Sequence, residues 1–383
     1  MHVPVLGAGY AGVTLTRLLE RRLPADVELT LVDESTDHVV QQELHRLVRR
    51  PELAEEITIP LTELVDRATV RTDRVEAVDA EAGVVHLADG ELAYDVGAVC
   101  LGAETAFYGI EGLHEHATPL KRIDDAREIR AETLAAFDRG DPRIVVGGAG
   151  LSGVQVAGEL AELAREEDVE ATVTLLEARD RVAPAFPANF GERIAAVLAE
   201  RGVTVRTGST VAGVDAERVA LADGGSLPAD VVVWTGGIRG SDALAGERPT
   251  VRGDLRLADR TFACGDAARV VDADGQPAPA SAQTAVRQAR VVAENVSRLV
   301  EYERDGGLFE PRLARYRYES PGWLVSVGDD AVAQLGPAVF TGRAAKAAKA
   351  TVAGGYLSSI GAIREAVELV GEEFDGSRPE RPT

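Results

Sequence analysis

Lysine is almost missing from this chain: Lys121, Lys346 and Lys349 are the only three among 41 basic residues. Against 63 acidic residues this leaves a formal charge of −22. No basic face is available to neutralise phosphates, which excludes nucleic acid as a partner. An acidic surface that uses arginine rather than lysine fits a salt-adapted protein, because at molar salt the Debye length falls to about 3 Å and self-repulsion is screened. Cysteine is scarcer still. Cys100 and Cys264 lie in apolar runs close to a glycine, so both read as small buried strand residues. The lack of a Cys-x-x-Cys argues against a dithiol redox centre. The six histidines show no ligand spacing, so no metal site is expected, and His38, His45, His114 and His116 read as surface residues. No run of 18 apolar residues occurs, which excludes a membrane-spanning helix. The first strand begins almost at once, so no signal peptide is expected.

What is present is a duplication. Leu6 is followed by Gly7-Ala8-Gly9-Tyr10-Ala11-Gly12, and Val146-Gly147 by Gly148-Ala149-Gly150-Leu151-Ser152-Gly153. Each G-x-G-x-x-G follows an apolar strand and opens an apolar-periodic helix. An acid closes the next apolar run: Asp33 stands 21 residues after Gly12, Glu177 24 after Gly153. One such glycine pattern is weak evidence, since chance supplies about 0.4 matches in a chain this rich in glycine. Two in context, each with its acid, point to two dinucleotide sites. The first glycine permits the tight turn, the second lets backbone N–H groups reach a pyrophosphate, and the third lets helix and strand pack closely. The pyrophosphate then sits on a helix N-terminus. Asp33 and Glu177 accept ribose hydroxyls, and a carboxylate at Glu177 favours NAD over NADP, although Arg179 and Arg181 stand close by.

The rest of the chain fits an α/β protein of two Rossmann-like domains. Pro4 interrupts the first strand pattern, Asp89-Gly90 signals a hairpin, and Asp124 is a candidate cap for a helix to Phe137. The pattern predicts one domain formed by 1–110 and 250–320, a second formed by 111–249 and inserted in it, and a C-terminal helical extension over 321–383. The acidic tail after Gly371 is expected to fray.

These motifs resemble the two-dinucleotide-binding flavoproteins, and among them the type II NADH dehydrogenases, single-subunit NADH:quinone oxidoreductases. The resemblance covers nearly the whole chain. The opening LGAGYAG resembles that family's FAD fingerprint, which implies that Gly7, Gly9, Tyr10, Ala11, Gly12 and Asp33 bind FAD. Likewise it implies that Gly148, Gly150, Ser152, Gly153 and Glu177 bind NADH. Cys100-Leu101-Gly102-Ala103 and Trp234-Thr235-Gly236-Gly237 resemble the strand-glycine segments that join the domains, which brings Gly102 and Gly236 to the cofactors. Phe262-Ala263-Cys264-Gly265-Asp266 resembles the second FAD motif, whose aspartate bonds the ribitol; Gly265 and Asp266 inherit that place. Ala282 and Gln283 belong to a stretch similar to the family's A-Q-x-A-x-Q-Q, beside the flavin and the quinone. Arg287 departs from it, and Gln155 stands where members carry glutamate. Gln155 and Gln283 are thus the candidate catalytic residues, and Gln155 can hydrogen-bond but not pass on a proton.

The implied activity is hydride transfer from NADH to bound FAD, then electron transfer to a membrane quinone without proton pumping. From Ala331 to Arg364 no acid occurs, where an average window would hold about six. Arg343, Lys346, Lys349 and Arg364 fall in this window. An apolar stripe of Tyr356, Leu357, Ile360, Ile363, Val367 and Val370 follows at helical spacing. This reads as an amphipathic helix pair lying on anionic lipid, and the resemblance agrees. The expected location is cytoplasmic, on the inner face of the cell membrane, with a homodimer left open. Three alternatives stay open: a sulfide:quinone oxidoreductase, a soluble NAD(P)H-dependent reductase of a small electron carrier, and a non-enzymatic flavoprotein redox sensor.

Overall fold

The computed structural model describes residues 1–306, 309–320, 322–362 and 366–367. The chain starts with β1 (His2–Leu6), α1 (Tyr10–Arg22), β2 (Glu28–Asp33), β3 (Thr69–Thr72) and β4 (Gly97–Val99). Next come β5 (Thr118–Pro119), α2 (Ile123–Phe137), β6 (Arg143–Gly147), α3 (Leu151–Glu166) and β7 (Thr172–Leu176). Then follow α4 (Ala188–Glu200), β8 (Thr204–Arg206), β9 (Val231–Trp234), β10 (Arg256–Ala258), β11 (Thr261–Ala263) and the long helix α5 (Ala282–Asp305).

The strands make two α/β sheets. The first runs β10–β11–β4–β1–β2–β3 and is parallel except for its edge strand β10. The second runs β5–β9–β6–β7–β8 and is parallel throughout. Both follow the rule that parallel strands covered on two faces read as unbroken apolar runs: Val231–Trp234 is buried at every position. Helix α1 explains how the first sheet is covered. Val13, Leu15 and Leu19 are fully buried, and each contributes about 1.5–3 kcal/mol. Arg21 and Arg22 occupy its last turn, where cations complement the helix dipole, and its packing partner is α5.

Pro4 lies inside β1, not at its start. The carbonyls of His2 and Leu6 accept from Asp95 and Cys100 on the β4 side, so by strand alternation Pro4 faces that side too. The β1–β4 register begins only at Val5 and Ala98, and the missing N–H falls short of the paired segment. The hairpin turns on Ala88-Asp89, because Leu87 pairs with Gly90; Gly90 takes the positive φ of 93°. At α2 the cap differs from expectation. Asp125, not Asp124, accepts the N–H groups of Lys121 and Arg122 at 2.7 and 2.8 Å.

The C-terminal extension reaches its helix through a small sheet. Strands β12 (Gly322–Val327), β13 (Asp330–Leu335) and β14 (Ala338–Thr341) are antiparallel and precede α6 (Arg343–Ser359). The segment from Ala331 is therefore not a helix pair: β-branched residues with Gly336-Pro337 as a turn favour strand pairing. The apolar stripe turns inward at its start. Leu357 and Ile360 are 0% and 1% exposed and belong to the main core, so the protein itself covers these two positions, whereas Val367 is 68% exposed. Ile363, Arg364, Val370 and the tail after Gly371 lie outside the described residues. Among the described residues no helix is long and apolar enough to cross a membrane.

Candidate functional site

The two glycine loops are built on one plan. Gly7 donates its N–H to Val32 at 2.7 Å and Gly148 to Leu176 at 2.8 Å. A Cβ on Gly7 would lie 2.4 Å from the Cys100 carbonyl oxygen, and one on Gly148 2.7 Å from Gly236 Cα. A Cβ on Gly12 would lie 1.7 Å from the Gly7 oxygen, and one on Gly153 1.8 Å from the Gly148 oxygen. Around Gly9 and Gly150, by contrast, nothing lies within 4 Å. The outer glycines are thus consumed by packing, and the middle ones leave an open approach to backbone. Helices α1 and α3 begin directly after, with no acid in the first turn and no side-chain cap. Their free N–H groups and positive dipole ends are what a pyrophosphate needs.

The acids duplicate as well. Asp33 accepts from Ala8 N–H at 2.5 Å and Ser35 N–H at 2.8 Å. Glu177 accepts from Ala149 N–H at 2.9 Å and Arg179 N–H at 3.0 Å. Each carboxylate ties its own loop to its own strand end, and with about four lone-pair sites it keeps capacity for two ribose hydroxyls. Burial pushes the Asp33 carboxyl up, against the two N–H bonds that pull it down. Arg181 is occupied with the carbonyls of Pro184 and Phe186, while Arg179 is exposed.

Other candidates gather around the first loop. A Cβ on Gly265 would lie 3.2 Å from Ala11 Cβ and 3.5 Å from Ala285 Cβ, so α1, the 265–266 turn and the start of α5 converge. Gln288, 1% exposed, accepts the Gly265 N–H at 2.8 Å; the sequence reading assigned it no role. Arg248 bonds the carbonyls of Asp266 and Ala268 at 2.6 and 3.0 Å, which leaves the half-buried Asp266 carboxylate free of that bond. Lys121 lies close: burial lowers its pKa, and Asp266 counters. Ser281 caps α5 through Thr284 N–H at 3.2 Å, which puts half-buried Ala282 and Gln283 in the first turn. Gly102 has φ 71° with nothing within 4 Å. Tyr10 is buried, its hydroxyl accepting Gln42 N–H at 3.2 Å.

Gln155 stands elsewhere in the fold, on α3, facing a buried polar group that no local pattern shows. Its Nε2 donates to Ser326 Oγ at 3.2 Å and lies 3.5 Å from His45 Nε2. His45 Nε2 meets the same hydroxyl at 2.8 Å. Around them lie buried charged side chains: Glu43 pairs with Lys349 at 3.1 Å and Arg46 at 3.4 Å, and Arg49 with Glu159 at 2.8 Å, every one under 9% exposed. Arg49 also reaches Glu166 at 3.1 Å and Asp329 at 2.7 Å. Burial alone pushes Arg49 down, but these three carboxylates outweigh it and raise its pKa. This clasp joins the 41–48 helical turn, α3 and the β12–β13 turn. Gly158 on α3 completes it, since a Cβ there would lie 2.4 Å from Gly328 N.

The surface reading of two histidines is corrected. His38 and His45 are 1% and 2% exposed, because each finds hydrogen-bond partners that a surface position would not need. His38 Nδ1 bonds the Ala8 carbonyl at 2.8 Å, and its Nε2 meets the Tyr356 hydroxyl at 3.0 Å. Tyr356 from α6 also packs at a tilt against Tyr10 with centroids 4.7 Å apart. Burial holds His38 down at about 4 and His45 well below the usual range. His114 and His116 are exposed. Cys100 and Cys264 are buried free thiols with sulfurs 3.6 Å apart. Lys349, read as a lipid-facing cation, is buried on Glu43.

Two cradles of this kind on adjoining parallel sheets define an oxidoreductase of the two-dinucleotide Rossmann class. The chain belongs to the pyridine nucleotide-disulphide oxidoreductase family, whose pattern matches residues 1–289. Type II NADH:quinone oxidoreductase of Staphylococcus aureus (strain NCTC 8325 / PS 47) is 26% identical over 358 residues, covering 85% of this chain and 87% of that protein. NDH2 from Plasmodium falciparum, solved in complex with NADH, shares the fold at TM-score 0.82 and 15% identity, covering 100% of this chain and 99% of that one. The sulfide:quinone oxidoreductase from Aquifex aeolicus does so at TM-score 0.80 and 18% identity, with 99% and 96% covered.

Proposed function

We propose that this protein is an FAD-dependent NADH dehydrogenase that passes electrons to a membrane quinone without pumping protons. The observation that carries the reading is the twofold geometry of open middle glycine, uncapped helix and loop-bound acid. The relatives named for NADH:quinone oxidoreduction support the same acceptor. Bound in the first cradle, FAD supplies hydride acceptance from NADH and electron donation to quinone.

The residues fit both nucleotides. In the first cradle Gly7, Gly9, Tyr10, Ala11 and Gly12 take the pyrophosphate of FAD, Asp33 its ribose, and Asp266 the ribitol. Gly102, Gly265 and Ala282 leave room beside it. In the second, Gly148, Gly150, Ser152 and Gly153 take the pyrophosphate of NADH and Glu177 its ribose, with Gly236 at the strand end. The occupation of Arg181 by backbone carbonyls favours NADH over NADPH. Gln155 and Gln283 orient nicotinamide and quinone by hydrogen bonds; the proton that reduction of quinone consumes comes from water. Residues 1–110 and 250–320 serve FAD, 111–249 serve NADH, and 321–383 form the face toward membrane or partner.

Docking on anionic lipid at the inner membrane face falls in this reading to exposed Arg343 and Val352, partly exposed Lys346, and Val367. A sulfide:quinone activity needs cysteines beside the flavin ring, whereas Cys100 backs onto Gly12 beneath the first loop, 3.5 Å from where a Cβ would be. Stopped-flow mixing tests the proposal. Yellow holoprotein bleaches with NADH faster than with NADPH, and a short-chain quinone restores the colour. Bleaching that no quinone reverses refutes the quinone step and raises the carrier-reductase reading.

A further inference from the structure

The segment Pro311–Tyr318 carries three arginines and no acid, in a chain of net charge −22. It has no regular secondary structure, yet its backbone is pinned at every second residue. Asn295 on α5, 0% exposed, accepts the Ala314 N–H at 2.7 Å and donates to the Ala314 carbonyl at 3.1 Å. Tyr316 donates to the Gly253 carbonyl at 2.6 Å and accepts from Ala273 at 2.9 Å. Tyr318 donates its N–H to the Asp272 carboxylate at 2.9 Å. With Ala314, Tyr316 and Tyr318 fixed inward, period-two alternation turns Arg315 and Arg317 outward. Arg298 joins them from α5 and donates to the Arg312 carbonyl. Arg298, Arg312, Arg315 and Arg317 line one cleft of about 660 Å³, which is within the range of small-ligand sites.

Two of these cations are answered within the protein: Arg298 pairs with Glu294, and Arg317 with Asp274 at 3.4 Å. Among the described residues Arg312 and Arg315 have no carboxylate partner, and both are exposed. Arginines gathered along one cleft on a pinned backbone make a local positive field that draws an anion in. Their planar forks match phosphate oxygens two at a time. No aromatic side chain lines the cleft, so a base finds nothing to stack on and the phosphate chain is the recognised group.

We propose that this cleft binds a phosphate-bearing anion, with Arg312 and Arg315 as its bidentate partners. None of its lining residues belongs to either glycine-loop cradle, so the site stands apart from the redox centre. The ligand is either a free polyphosphate, as in a nucleoside triphosphate, or the headgroup of an anionic lipid.

The test titrates FAD-loaded protein with inorganic tripolyphosphate by calorimetry, with and without saturating NADH. The expected result is one equivalent bound in both cases, weakened at least about tenfold in R312Q/R315Q, with flavin content and bleaching by NADH unchanged. R312K/R315K, which keeps charge but not the fork, should fall between. Equal binding by R312Q/R315Q, or displacement of tripolyphosphate by NADH, overturns the proposal; neither result bears on the quinone step. Vesicles of phosphatidylcholine with and without phosphatidylglycerol identify the source. A lipid ligand makes phosphatidylglycerol-dependent binding sensitive to both tripolyphosphate and R312Q/R315Q, and a free ligand leaves vesicle binding unmoved.

Discussion

Replacing Arg49 by methionine puts the buried clasp to a quantitative test. Arg49 is 5% exposed and Glu159 2%, so R49M strands one carboxylate in the interior. The other two partners, Glu166 and Asp329, are 41% and 30% exposed and rehydrate. The loss is therefore dominated by one unpaired buried charge, about 3–5 kcal/mol. Adding E159Q removes that charge, and R49M/E159Q should recover to within about 1 kcal/mol of the parent. Acidity gives a second signature. Burial holds the Glu159 carboxyl above its usual range, while Arg49, Lys349 and Arg46 draw it back. Without Arg49 the folded value climbs further. A raised folded value means that the native state binds the proton more tightly than the unfolded chain. Stability is then fullest below the unfolded carboxyl range and is lost as pH rises through the folded value. R49M should stand closer to the parent near about pH 5 than near about pH 8, and R49M/E159Q should lack that slope. Urea unfolding followed by fluorescence reads the outcome from two tryptophans, Trp234 in the second sheet and Trp323 in β12. A loss below about 1 kcal/mol at pH 8, or no recovery with E159Q, refutes the account.

Three further outcomes are expected. In Gly9→Ala the added Cβ meets no protein atom within 4 Å, so the apoprotein should melt as the parent does while flavin content drops about tenfold; full retention of FAD, measured by absorbance, contradicts the open-glycine reading. Glu177→Gln removes the charge that repels a 2′-phosphate and should raise the NADPH:NADH ratio of kcat/KM about tenfold, and an unchanged ratio removes Glu177 from the ribose site. Burial lowers His38 from the ordinary 6.5 to about 4, so the fold keeps it neutral and its stabilisation is present above pH 6.5. About 3 kcal/mol is then lost as pH falls from 6.5 toward 4, and thermal melting of His38→Gln should fall less steeply over that range than the parent.

What could be read in the chain was what is local. The glycine loops, their helices and their acids fall within about thirty residues of each other, and turn, helix and strand are dictated there by near neighbours. The clasp was not legible, because Arg49 meets partners 110 and 280 residues away and a lone arginine in a polar turn has no local signature of burial. The same separation hid His38 and His45: His45 reaches Ser326 across 281 residues. At the C-terminus helical spacing marked apolar positions but could not say what covers each of them. Leu357 and Ile360 meet the protein's own core, and periodicity alone does not distinguish lipid from a neighbouring helix. Gln288 was in plain view next to Gln283, yet only the folded turn at Gly265 reveals which backbone group it holds.

The bond chain from Tyr356 through His38 to the Ala8 carbonyl has a bearing on biogenesis. The first nucleotide unit is made first on the ribosome but finished last. The chain of bonds behind its loop is completed only by an aromatic ring that emerges some 350 residues after Ala8. Nascent chains stalled before that point are expected to leave the tunnel colourless.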